Sequence, residues 1–342
     1  MRQALVAARL WPFSLLACAA VGALTWACEA DTGPGPGPRL NGCVTEFCVD
    51  ASTDGSSTTF PNPLEGTTKT ATLVKGGYAG PDMPFWLNGH LVFAESTTQV
   101  LQLQDDGVTT QVFRSASGGT VGLALEPSGK LVACEANAHR VVRSDPTGSA
   151  TRTAIATTFG GKPLNSPKDI VVKKDGNIYF TDPDYAADPD AGLRQPKQGV
   201  FRIDPQGALG RFAEYDSIPN GIALSPDETT LYVSDTEAGL VRRFSVSPDG
   251  SPTNETTFVT TSPQPNGMAI DDAGNLYVST KNGIEVFSST AQALGTVTVT
   301  GTPNNCGFGG ADRRTLYITS SSGSGNPATG VYSIKLNVPG LP

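Results

Sequence analysis

Asp82, Val121, Lys168, Asn220, Asn266 and the pair Asn304–Asn305 occupy one and the same place in a phrase that recurs along this 342-residue chain. Each stands just before a short apolar run, which a polar turn separates from a second apolar run. A carboxylate, an ammonium and several carboxamides form a set suited to binding or hydrolysing a polar small molecule, provided that the fold brings them to one concave place. Other chemistries fit less well. The only two histidines are His90, in a turn after Gly89, and His139, late in a hairpin loop. Neither is expected near that place, so a Ser-His-Asp triad has no general base. Asp182 and Asp184 read as turn-capping carboxylates rather than a catalytic pair. The Gly-rich stretch from Ser320 lies between strands with no helix after it, so it is a hairpin loop and not a phosphate cradle.

The elements that must position these residues are strands. The phrase is clearest at NSPKDIVVKKDGNIYFTDPDY, which starts at Asn165. Ile170-Val171-Val172 and Ile178-Tyr179-Phe180 flank a turn with Gly after Asp, the local pattern of a β-hairpin. The second-strand pairs Leu91-Val92, Leu131-Val132, Ile178-Tyr179, Leu231-Tyr232, Leu276-Tyr277 and Leu316-Tyr317 are spaced by 40, 47, 53, 45 and 40 residues. Periods of this size, with several short strands in each, are those of propeller blades. The reading is an all-β, six-bladed β-propeller in which the first strand of each blade lines a central channel. The residues just before those strands then converge on one channel mouth. An open last blade would expose a pairing edge, so the strand-like residues 68–74 are expected to complete the sixth blade beside residues 331–336. The insertion at 186–198 in blade three either overhangs the mouth as a lid or is a tolerated loop.

Composition sets the outer limits. A formal charge of -8, with no clustered Lys and Arg, excludes a nucleic-acid surface. Residues 1–27 read as an export signal, with Arg2 and Arg9 ahead of the apolar run 14–27. Leu24-Thr25-Trp26-Ala27-Cys28 resembles a lipoprotein cleavage box, and Leu15-Leu16-Ala17-Cys18 is a competing match. The expected location is therefore the periplasm, the cell envelope through a membrane tether at Cys28, or the medium. Residues 28–66 are polar and turn-rich and read as a flexible tether, leaving 67–338 for a monomeric propeller. Cys43 and Cys48 could close a local disulfide in an exported protein. Cys134 and Cys306 lie in apolar strands and read as buried thiols, with a bridge between them as the alternative.

The ordered phrases Leu131-Val-Ala-Cys-Glu135, Leu164-Asn-Ser-Pro-Lys-Asp169, Tyr179-Phe-Thr-Asp-Pro183, Pro219-Asn-Gly-Ile222, Leu231-Tyr-Val-Ser-Asp235, Pro265-Asn-Gly-Met268 and Asn305-Cys-Gly-Phe-Gly-Gly310 carry a resemblance. The chain resembles the family named for senescence marker protein, gluconolactonase and luciferin-regenerating enzyme, and in particular its bacterial gluconolactonase-like members. The resemblance implies a six-bladed propeller with a divalent cation, usually calcium, in the channel, and hydrolysis of sugar lactones. It also implies sites. The metal positions fall on Asp82, Asn220 and Asn266; anchoring the first phrase on Gly80-Pro81 rather than Trp86 would put Ala79 in place of Asp82. Lys168 stands where the family has Asn, and Asn266 where it has Asp. Lys168, Asn220 and Asn266 are thus the expected catalytic positions, and Asn165, Asn305 and Glu135 the expected substrate contacts. Replacing an amide by an ammonium removes the charge balance that a hard cation requires. An Asp82–Lys168 ion pair in the cation's place is therefore expected. Two functions follow: hydrolysis of a lactone or related ester at a remodelled site, or a metal-free propeller that binds a small-molecule ligand without turnover.

Overall fold

The computed structural model describes residues 60–95, 98–148, 151–184, 193–323 and 326–341. The export segment, Cys28, Cys43, Cys48 and most of the tether lie outside the described residues.

Six four-stranded antiparallel sheets follow one another along the chain. Their inner strands are Pro81–Leu87, Thr120–Leu125, Ile170–Val172, Pro219–Leu224, Met268–Ile270 and Thr302–Gly309. Each inner strand packs on the next, and the sixth packs on the first, which closes the ring. Five sheets are built in chain order. The sixth takes its outermost strand, Thr72–Gly76, from the N-terminal end, paired antiparallel with Gly330–Lys335. This is the expected closure, shifted along the chain: of residues 68–71 only Thr70 bridges, and it does so in parallel to Thr298 of blade five.

Burial grades outward through each blade. The second strands Leu131–Glu135, Ile178–Asp182 and Leu276–Thr280 are buried at every residue, because the neighbouring blades cover both of their faces. That is why these segments read as continuous apolar runs rather than alternating ones. Outer strands such as Pro252–Thr260 are largely exposed. The core lies between blades: Tyr179 and Val200 of blade three pack with Ile222, Leu224 and Leu231 of blade four. Turn chemistry sets the hairpins. Asp175 Oδ1 accepts from the Asn177 N–H, and Gly176 takes φ +93, a conformation that costs any other L-residue steric energy.

Two boundaries differ from the sequence reading. Leu64, placed in the tether by its polar surroundings, is fully buried in the core between blades five and six. At the other end the chain keeps packing beyond residue 338, where the Leu341 N–H donates to Ile270. Local polarity hid both, since one apolar side chain in a polar segment becomes a core residue only through the surface that receives it.

The closing seam is tight. A Cβ on Gly330 would sit 2.2 Å from the Lys75 carbonyl oxygen and 2.7 Å from the Gly76 Cα. Gly330→Ala should therefore force the N-terminal strand off the sixth blade and cost about 1–3 kcal/mol. Urea denaturation measures the loss, and limited proteolysis should show faster cutting at residues 72–76.

Candidate functional site

Pairing between the first and second strands places the site residues. Four of the inner strands break register at their mouth end: between Asp82 and Phe85, Thr120 and Gly122, Pro219 and Ile222, and Pro303 and Asn305. Asp82, Val121, Asn220 and Asn304 therefore lie inside the strands, at bulges, and not just before them as the sequence reading has it. A bulge re-aims the side chain that it carries. Lys168 and Asn266 do precede their strands, yet they are tied to the second strand through Lys168 N–H to Thr181 O and Asn266 N–H to Ser279 O, both 2.8 Å. The glycine after the site residue lets the next blade come close. A Cβ on Gly221 would meet the Asn266 carbonyl oxygen at 2.3 Å, and one on Gly267 would meet the Asn305 side chain at 1.9 Å.

Lys168 reaches from blade three to blade one. Its buried Nζ forms an ion pair and hydrogen bond with Asp82 Oδ2, while Asp82 Oδ1 accepts from the Met83 N–H at 2.7 Å. Met83 is held at φ 51, a left-handed conformation unusual for a side chain of this size. Behind Lys168 lies Asp169, whose carboxylate joins two blades: Oδ1 accepts from Ile170 N–H and Oδ2 from Ile222 N–H of blade four, at 3.0 and 3.1 Å. Burial pushes its carboxyl up to about 7, and the two N–H groups and the Lys168 charge offset only part of that rise. The repeat alone gives Asp169 no role; an acid just ahead of a three-residue apolar strand is the sequence signal that marks it.

Asn220 and Asn266 supply amide oxygens. Thr236 gives its hydroxyl proton to the Pro265 carbonyl at 2.7 Å, so it can only accept from Asn220 Nδ2, 3.0 Å away. This relay fixes the amide's orientation and leaves Asn220 Oδ1 buried with no donor among the described residues. Asn266 Oδ1, from the adjacent blade, is likewise a buried acceptor without a partner among them. Buried acceptors left unmet cost free energy that a hydroxyl-bearing ligand would restore.

The other expected positions are engaged within the protein. Asn305 Oδ1 accepts from the Cys306 N–H, and Asn304 Nδ2 ties blade six to the Pro81 carbonyl of blade one. Asn165 is fully buried, donating to Asp182 O and Lys197 O. Glu135, also inaccessible, is gripped by Arg140 at 2.6 Å and Arg152 at 3.0 Å. Asn165 Oδ1, like the amide oxygens of Asn220 and Asn266, is a buried acceptor with no donor among the described residues. Glu135, Asp182 and Asp235 share one position, the last residue of a second strand, and all are inaccessible. Asp235 accepts from Ser217, Ala238 and Arg242. Asp235 thus holds the loop that enters its blade's inner strand through Ser217, whereas Glu135 grips the next strand and the segment before the outermost one. Asp182 follows the pattern through the Asn165 N–H, 2.8 Å away, and burial pushes its carboxyl up to about 7. Cys134 and Cys306 are unbridged buried thiols.

His139 is placed differently from the sequence reading. It follows the short 3-10 turn Ala136–Ala138 at the mouth-side end of blade two, where Nδ1 contacts the Asn165 carbonyl. The Arg194 guanidinium lies 3.3 Å from both ring nitrogens and reaches Asp184 at 3.1 Å. Arg194 and Gln195 come from the C-terminal part of the 186–198 insertion. Gln195 Nε2 anchors it on the carbonyls of Phe159, Lys162 and Pro163. These contacts join loops of blades two and three and do not assemble a nucleophile–base pair. His90 lies at the other end of the propeller, 3.1 Å from Asp105.

The donor set does not fit a hard divalent cation. Asp82 has both oxygens engaged, one of them by an ammonium, and Asn220 and Asn266 are neutral. A cation seated on Asp82 would lie about 5 Å from the Lys168 charge, a repulsion of about 6 kcal/mol at an effective dielectric of about 20. Calcium takes about six to eight oxygens, with carboxylates among them to balance its charge.

A family model described as the SMP-30/Gluconolactonase/LRE-like region matches residues 81–322. A gluconolactonase of Zymomonas mobilis subsp. mobilis is 29% identical over 309 residues, covering 80% of this chain and 86% of that protein. A pentonolactonase of Haloferax volcanii is 26% identical, covering 61% and 69% respectively. Among solved structures, a gluconolactonase of Xanthomonas campestris is 32% identical with a TM-score of 0.68, covering 78% of this chain and 89% of that one. Regucalcin of Agrobacterium tumefaciens, a calcium-binding protein, shares the fold with a TM-score of 0.68 at 17% identity, covering 80% and 95%.

Two outcomes test the electrostatics. Asp82→Asn should remove the carboxylate that pairs with the buried Lys168 ammonium and cost about 3–5 kcal/mol, and adding Lys168→Met should recover much of it. A double-mutant cycle in urea measures the coupling. The carboxyls of Asp169 and Asp182 titrate near 7 in the fold and near the ordinary 3.8 when unfolded. Protonated burial therefore favours the fold fully below about pH 4, and that stability is lost as pH rises through about 7. The urea midpoint should fall between about pH 5 and about pH 8, and should fall less in Asp182→Asn, which keeps an acceptor for the Asn165 N–H.

Proposed function

This chain belongs to the SMP-30/gluconolactonase/LRE-like family, and we propose that it hydrolyses a sugar lactone or a related ester at the channel mouth. The observation that carries this reading is the pair of donorless amide oxygens, Asn220 Oδ1 and Asn266 Oδ1, on adjacent blades of the ring that also holds the Lys168 ammonium. A lactone bearing several hydroxyls offers donors to those acceptors and an acyl oxygen to the positive charge. Water adds to the carbonyl carbon and the ring C–O bond breaks. A hydroxy acid leaves, releasing one proton to solution near neutral pH. Negative charge develops on the acyl oxygen along the way, and a fixed ammonium beside it lowers the barrier without reorganisation. In this reading Asp82 is a positioning residue for Lys168, and Asn220 and Asn266 bind and orient the ligand. The names of the relatives, a gluconolactonase and a pentonolactonase among them, support lactones as the substrate class.

A second reading has its own observation. Both oxygens of Asp82 are engaged within the protein, so the ion pair could plug the channel and leave a propeller that binds a small-molecule ligand without turnover.

A pH-indicator assay over five- and six-membered sugar lactones separates the two. Hydrolysis in the presence of a chelator is the expected outcome, with kcat reduced about 10²- to 10³-fold in Lys168→Gln. In Asn220→Ala the main change should be a raised KM. Saturable lactone binding with no turnover above the spontaneous rate would establish the second reading, and full activity in Lys168→Gln would remove Lys168 from the chemistry.

A further inference from the structure

We propose that Lys168 is the site's built-in cation: its ammonium takes the place of a divalent ion at Asp82, and only two residues, Lys168 and Asn266, keep the mouth from binding calcium. The inference concerns the site proposed above for lactone hydrolysis. Its readout is thermal, so it stands or falls separately from turnover.

Three features place the ammonium there by construction. Lys168 is anchored at its backbone, where its N–H bonds Thr181 O and its carbonyl oxygen lies against Gly122 of blade two. Its side chain then spans from blade three to blade one to reach the bulged Asp82. The mouth position of the blade between them is Val121, which brings no competing charge or hydrogen-bond donor. The contact is thus a bridge across the mouth, between residues 86 apart in sequence. It ties together two inner strands that do not pair.

The rest of the ring already has the form of an oxygen cage with its charge removed. Asn220 Oδ1 and Asn266 Oδ1 are buried and lack donors among the described residues, and Thr236, by accepting from Asn220 Nδ2, holds that amide with its oxygen on the opposite side. Neutral amide oxygens bind a hard cation well only when carboxylates share the site. As built, Asp82 and Lys168 sum to zero and the two amides add nothing. Lys168→Asn takes the local charge to -1 and frees Asp82 Oδ2. Adding Asn266→Asp takes it to -2 and places the second carboxylate where an orphan oxygen already sits, so no backbone need move.

A fold-specific ligand raises the melting temperature in proportion to ln(1 + [L]/Kd). The full chain, the Lys168→Asn variant and the Lys168→Asn/Asn266→Asp variant are each titrated with calcium chloride and returned with EDTA, with Tm as the readout. The wild-type Tm is expected to stay flat. The double variant should rise by about 5 °C at a calcium concentration about 100-fold above its Kd, and EDTA should reverse the rise. Magnesium should do less, because it demands near-ideal octahedral coordination and gives up its water reluctantly. A calcium-dependent rise in the wild type would overturn the proposal. So would a folded double variant, verified by its circular dichroism, with no calcium response. Should the double variant not fold, calorimetric titration of the wild type and of Lys168→Asn decides: binding only in the variant supports the built-in cation, and binding in the wild type or in neither sinks it.

Discussion

Six twisted sheets can surround a channel only if their inner strands touch along its wall, and every polar group at the mouth inherits its position from that contact. The touch is made by backbone. Where Gly221 follows Asn220, the next blade's Asn266 carbonyl comes so near that no Cβ would fit, and the same holds for Gly267 against Asn305. Site residue and glycine form one unit: the first side chain turns to the channel, and the missing second one admits the neighbouring blade. Ser234 illustrates the result, accepting from the Gly221 N–H of its own blade and donating to the Asn266 carbonyl of the next, both at 2.7 Å. Shifting one blade along the axis would break such a bond at each side.

The electrostatics of the mouth follow from that packing. A close-packed wall excludes water, so charge within it must find a partner or change its protonation state. Lys168 and Asp82 find each other. Asp169 has two backbone N–H groups and is still pushed up to about 7. Asn220 and Asn266 keep unmet oxygens, which a packed protein retains seldom and usually for a reason. The mouth therefore combines a neutralised charge pair with buried acceptors that lack donors among the described residues, which is the surface that the proposed hydroxyl-bearing ligand would meet.

Away from the channel, polar residues serve the loops. The carboxylates that end the second strands of blades two, three and four are all inaccessible, and their partners lie on the connections into the inner strands and on the next strand. Arg114, almost fully buried between blades one and two, bonds Ser144 at 2.8 Å, and its pKa is lowered to about 10 by burial and by the nearby Arg152. These groups bind irregular segments to a regular frame, so the rim can vary in length, as at 186–198, while the inner ring stays in register.

Much of this was legible in the sequence because it is local or periodic. The repeat of apolar pairs, the Asp-Gly turns and the Asn-Gly phrases depend on neighbours along the chain, and they pointed to six blades and to an N-terminal strand that closes the last one. The Asp82–Lys168 pair was legible from the repeat positions taken with the family resemblance, which sets an ammonium where the family has an amide beside a carboxylate. What only the tertiary structure decided are contacts whose partners are distant in sequence. Leu64 joined the core because two blades leave a place for it. Glu135 and Asn165 turned inward because Arg152 and the carbonyls of residues 182 and 197 lie behind them. His139 came to the mouth-side face because the turn before it swings it against Asn165. Periodicity along a strand specifies the face on which a residue lies, but whether that face meets solvent, a ligand or another blade depends on packing that no local pattern contains.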